Sequence, residues 1–104
     1  MRIYVIGPVT SRKSKNVAAF EAARSRLAAA GHDVSTPLDF VPPSATHEEA
    51  MRMSLCWLLH TGRIEAVATL DDWELSPGAR VEREAALACG IPCGAVEAWE
   101  AMGS

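Results

Sequence analysis

The 104-residue sequence has no long apolar run, no excess of positive charge and no paired-cysteine framework, and each lack closes off a class of function. Its apolar stretches fall far short of the ~18 residues needed to span a bilayer. The opening MRIYVIGPVT has neither the length nor the flanks of a signal peptide. The chain is therefore expected in the cytoplasm, away from any membrane. A net charge of −3 disfavours nucleic acid and anionic membrane surfaces, which select a basic face. Cys56, Cys89 and Cys93 are an odd set, and His32, His47 and His60 do not stand at metal-ligand spacing from them. The cysteines read as small buried thiols in a reducing compartment, with no metal site. No internal repeat, dinucleotide fingerprint or complete phosphate loop is present, so no cofactor is implied.

What is present is the alternation of a single α/β domain over residues 1–104. RIYVI (2–6) is a β-branched and aromatic run stopped by Gly7-Pro8, since proline lacks the donor a strand needs. From Ser14 to Ala30, Val17, Phe20, Ala23, Leu27 and Ala28 recur at helical spacing, and Gly31 suits a left-handed cap. HDVST gives a short second strand, and PLDFVPPSA a proline-punctuated loop. Thr46 and Glu49 have the spacing of a capping box that opens a helix to about His60. IEAVATL (64–70) reads as a central strand, and Ser76-Pro77 starts a helix that Gly90 ends. IPCGAV is a fourth strand and EAWEAM a terminal helical turn.

Strands and helices in this order predict a doubly wound, Rossmann- or flavodoxin-like parallel sheet with helices on both faces. Right-handed crossovers give the strand order two, one, three, four. Such sheets bind ligands beyond the carboxyl ends of their strands, which collects Gly7-Pro8, Leu38-Asp39 and Asp71-Asp72-Trp73. The loop after Gly7 adds Arg12, Lys13 and Lys15 close to a helix start, where backbone N–H groups and cations can hold a phosphate. A solvated basic loop reads equally well. Trp73 could stack on a base, although packing is the commoner use of a tryptophan at a strand end.

Glu82 is the residue that demands explanation. At about 100° per residue, Val81, Ala85, Ala88, Gly78, Cys89 and Ala86 gather on one small apolar arc, opposite Arg80, Arg83 and Glu84. Glu82 falls inside that arc. A carboxylate that faces the protein body needs donors, a cation or a cavity. Gly78, one turn earlier, is expected to leave a path from Glu82 to the ligand edge, where a carboxylate suits attack on a sugar carbon with oxocarbenium character. The alternative is an ordinary ion pair with Arg80, Arg83 or another element.

MRIYVIGPVT, AAGHDV and above all LDDWELSPGARVEREAALACGIP resemble a family of small bacterial and phage proteins similar to nucleoside 2-deoxyribosyltransferases. The resemblance covers residues 1 to about 94 and is most specific at Trp73, Ser76, Gly78, Ala79 and Glu82. Deoxyribosyltransferases and the related deoxynucleoside 5′-monophosphate N-glycosidases use a glutamate at this place as nucleophile toward C1′. The resemblance therefore implies that role for Glu82, a place near the sugar for Tyr4, and a base or phosphate beside Gly7 and Pro8. It also implies an oligomer whose neighbouring chain completes the pocket.

One position departs. In the N-glycosidases an aspartate stands three residues before a Trp-Leu pair, and with Trp57-Leu58 as that pair the place is taken by Ser54. Serine is no general acid near neutral pH, so Asp72, Asp71 or Asp39 would have to substitute. The sequence thus predicts an enzyme of the N-glycosidic bond of a nucleotide or nucleoside. The competing reading is a catalytically silent module that binds a nucleotide or another protein. The helix over 46–60 is apolar on most sides in its second half, and a homodimer is expected to cover the side the domain cannot.

Overall fold

The computed structural model describes residues 1–9 and 16–103. Arg12, Lys13 and Lys15, expected beside a phosphate, lie outside the described residues. The elements are β1 (Arg2–Ile6), α1 (Val17–Ala29), β2 (Asp33–Ser35), α2 (His47–Leu59), β3 (Ala66–Thr69), α3 (Pro77–Ala88), β4 (Cys93–Ala95) and α4 (Val96–Met102). All strand pairs are parallel and the order is β2-β1-β3-β4, as the alternation predicted. No helix among the described residues is long and apolar enough to cross a membrane.

The inner strands β1 and β3 are buried on both faces, which is why they read as continuous apolar runs and not as alternations. Ile3, Val5, Ala66 and Ala68 face α1 and α4, where Phe20, Ala23, Leu27, Val96 and Trp99 cover them. Tyr4, Ile6 and Val67 face the other way, toward Leu58 of α2 and Ala79 and Ala86 of α3.

Local chemistry fixes the helix ends. The Thr46 hydroxyl accepts from the Glu49 N–H at 3.1 Å and the Glu49 carboxylate accepts from the Thr46 N–H at 2.8 Å, so the capping box at the head of α2 is closed. Ser76 caps α3 by accepting from the Ala79 N–H at 3.2 Å, with Pro77 in the first helical position. Gly90 takes φ +79°, and the Ile91 N–H turns back to the Ala86 carbonyl at 2.8 Å, the bond that closes a helix through a left-handed residue.

Four expectations need correction. The proline-rich loop contains a short 3-10 turn over Pro37–Asp39, because Thr36 and Asp39 form a second capping box. The inward row of α3 is Gly78, Ala79, Glu82 and Ala86, whereas Val81 is 50 % exposed and Ala88 and Cys89 face outward. Small apolar residues lie on both sides of this helix, so periodicity rotated the arc. Gly78 leaves no open path: a Cβ there would stand 3.0 Å from Met51 Sδ and 3.6 Å from His47 Cε1, so α2 fills the space. The thiols of Cys56 and Cys89 are exposed and that of Cys93 is half-buried, not sequestered in the core.

Candidate functional site

Glu82 projects from the inward row of α3 and is 7 % exposed. Its Oε2 has no hydrogen-bond partner, and no cation among the described residues pairs with it. Arg83, the neighbour best placed to do so, lies instead over the Trp73 ring at 4.9 Å and within 3.6 Å of Glu84. Burial pushes the Glu82 carboxyl up to about 8, which favours its protonated form at neutral pH.

Beneath it, Tyr4 comes off β1 with no exposure, and its Oη is the other buried side-chain polar atom without a partner among the described residues. The Tyr4 ring stacks on Phe40 at 6.2 Å, and Phe40 on Trp57 at 5.1 Å. The Trp57 indole donates to the Ser35 hydroxyl at 3.0 Å, which anchors the row. Burial above all, and then the charge of Glu82, holds the phenol well above its ordinary range, so Tyr4 is a donor at any physiological pH. The Ser54 hydroxyl is near enough to oppose that rise, although no hydrogen bond of good geometry joins the two.

Glu82 and Ser54 border a hollow of about 80 Å³ at the carboxyl end of β1, between α2 and α3. Glu82, Ser54, Ser76 and His47 supply its polar lining, and Leu38, Val41, Ala50 and Met51 much of the rest. That volume holds a few waters and is well below the ~300–1,000 Å³ of typical ligand pockets. Two roomier depressions exist, of about 410 Å³ beside Trp57 and Arg63 and about 310 Å³ between α1 and α4. Neither is lined by an unpartnered buried polar group, so the chemistry points to the smaller one.

Of the residues singled out from sequence, Gly7, Ser54, Ser76, Gly78 and Glu82 line one hollow, with Tyr4 below it. Pro8 is fully buried and does not line it. Gly7 is demanded by packing as much as by any ligand: a Cβ there would stand 2.7 Å from the Leu70 side chain. Asp39 is ion-paired with Arg24 and also accepts from the Thr36 N–H at 2.9 Å. Asp71 and Asp72 line the depression on the α1/α4 side, and Trp73 packs on the α2/α3 core outside the hollow. None of the substitute acids therefore faces Glu82.

His47 and Met51 were missed. The signal was there: Thr46 sets the helix start, and 47, 51 and 54 then recur at the spacing of one helical face. No group of three His, Cys, Asp or Glu side chains among the described residues is placed to ligate a metal. Among known proteins, the family model described as Domain of unknown function (DUF4406) matches residues 1–94. No curated protein and no solved structure matches the chain.

Proposed function

The chain belongs to the DUF4406 family, and from its site we propose that it is an enzyme of the N-glycosidic bond of a nucleotide or nucleoside, with Glu82 as the nucleophile at C1′. One observation carries this reading: a buried carboxyl with an unpartnered oxygen opens into a hollow instead of meeting an arginine. An unpaired carboxylate in a dry site is destabilised in the resting protein and stabilised once positive charge develops on the sugar. Glu82 must first lose its proton. Its oxygen then bonds to C1′ as the C1′–N bond breaks, and water or a second base resolves the glycosyl ester, giving hydrolysis or transfer. The Tyr4 phenol, fixed by its aromatic row, can donate to the sugar or to the departing carboxylate.

The test is release of free base from a panel of nucleosides and their 5′-monophosphates. Glu82→Gln should lower it at least ~10³-fold, as loss of a nucleophile does. Release that is unchanged in this variant dismisses the assignment.

A silent binding module is the second reading. It is favoured by Ser54 at the place of the relatives' acid and by a hollow too small to enclose a nucleoside. A thermal shift with the same panel that comes without release of base marks this reading, because a bound ligand raises the melting temperature whether or not it is cleaved.

The small hollow also favours a homodimer that completes the pocket. Leu75, Val81 and Leu87 beside or on α3, and Met53 on α2, are exposed by 74, 50, 44 and 36 % and are the surface such a partner would cover. A monomer by equilibrium sedimentation at micromolar concentration rejects this. Exposed thiols at Cys56 and Cys89 fit the reducing cytoplasm, which we take as its compartment.

A further inference from the structure

We propose that His47 exchanges the proton with the base as it leaves, an inference that rests on the glycosidic reading of Glu82. Expulsion of a base as its anion is slow, and a positioned acid speeds such a step ~10²- to 10⁴-fold. Ser54, which lines the hollow between Glu82 and His47, is no acid near neutral pH. The three aspartates that could serve instead do not reach the hollow. Asp39 is held by Arg24, and Asp71 and Asp72 lie beyond the sheet beside α1 and α4.

Among the described residues lining the hollow, Glu82 and His47 alone carry an ionisable side chain. His47 stands in the first turn of α2, on the same helical face as Ser54 and about 10 Å further toward the mouth. Its ring lies over the start of α3, with Cε1 3.6 Å from where a Cβ on Gly78 would be. The ring thus lies within van der Waals reach of the start of α3. Neither ring nitrogen has a hydrogen-bond partner among the described residues, and the residue is exposed, so the ring can exchange protons with water. An imidazole both gives and takes a proton near neutrality.

The step balances with these two groups. The C1′–N bond breaks, its electron pair passes to the base nitrogen, and that nitrogen takes the proton of the His47 imidazolium. At the same time a Glu82 oxygen bonds to C1′. Water then attacks C1′ and gives its proton to the His47 imidazole, and the C1′–O bond to Glu82 breaks to restore the carboxylate.

The test compares two kinds of leaving group in wild type and His47→Gln. Deoxynucleosides and their 5′-monophosphates need a proton on the base, whereas 4-nitrophenyl 2-deoxyriboside expels a stable phenolate without one. Glutamine should lower kcat/KM, which reports the steps up to the glycosyl ester, ~10²- to 10⁴-fold on the nucleosides and leave kcat/KM of the nitrophenyl glycoside within about threefold. Equal losses on both, or no loss on either, overturn the role of His47 and leave Glu82 standing. A wild-type protein that splits only the nitrophenyl glycoside does the same. One that splits neither overturns the glycosidic reading and His47 with it. Added imidazole should restore part of the nucleoside activity of His47→Ala, which a purely structural role would not allow.

Discussion

The two faces of the same sheet are built to opposite ends. Toward α1 and α4 the buried polar groups are matched: the Trp99 indole donates to the Val67 carbonyl at 2.8 Å, and His32 Nε2 to the Trp99 carbonyl at 2.9 Å. Arg26 closes the outside with bonds of 3.0 and 2.7 Å to Glu100. Toward α2 and α3 the strands present Tyr4, and the two buried side-chain polar atoms without a partner among the described residues lie there, Tyr4 Oη and Glu82 Oε2. Alternate residues of one five-residue strand serve the two purposes. Unsatisfied buried groups cost ~1–3 kcal/mol each, so the contrast marks where stability has been given up and hence where a ligand is to be sought.

The contrast breaks most visibly at Glu82. Its folded value of about 8 lies above its ordinary 4.5, so between those pH values the folded chain holds a proton that the unfolded chain has lost. The associated stability is fully present below pH 4.5 and is lost as pH rises through about 8, a change on the order of a few kcal/mol. Glu82→Gln removes the slope and should be more stable than wild type at pH 9, by urea melts at pH 6 and 9. A variant that is less stable at pH 9 means the carboxylate has a partner, and the contrast between the faces fails.

A matched pair of smaller changes sharpens the same point. Trp99→Phe deletes a made hydrogen bond on the closed face, which should cost ~0.5–1.5 kcal/mol. Tyr4→Phe deletes an orphan hydroxyl on the open face and should be neutral or stabilise by up to about 1 kcal/mol. Opposite signs in chemical denaturation support two differently built faces. Losses in both mean that Tyr4 Oη is satisfied in solution.

Most of the architecture was readable because it is written locally. Pro8, Gly31, Thr46 with Glu49, Ser76-Pro77 and Gly90 punctuate the chain, and the parallel order follows from the alternation of strands and helices. The site was half readable. That Glu82 turns inward follows from helical phase, but where Asp71 and Asp72 lie depends on which side of the sheet the chain leaves after β3. Periodicity does not encode that choice. The outward faces of Val81 and Cys89 were lost for a related reason, since alanine-rich helices carry little contrast between their sides. His47 was hidden by its exposure: a histidine in a first helical turn means nothing until the neighbouring helix is seen to lie against it.

That neighbouring contact and the one at Gly7 divide the hollow into a fixed part and a tunable part. At Gly7 the main chain itself lies against Leu70, and any heavier residue would have to displace the end of β3. The rim contributed by the strands is therefore closed to mutational drift. Residues 47, 50 and 51 ride on a capped helix whose side chains can be exchanged without touching the sheet. Members of the family that turn to new ligands are expected to record the change on α2, and to keep the glycine.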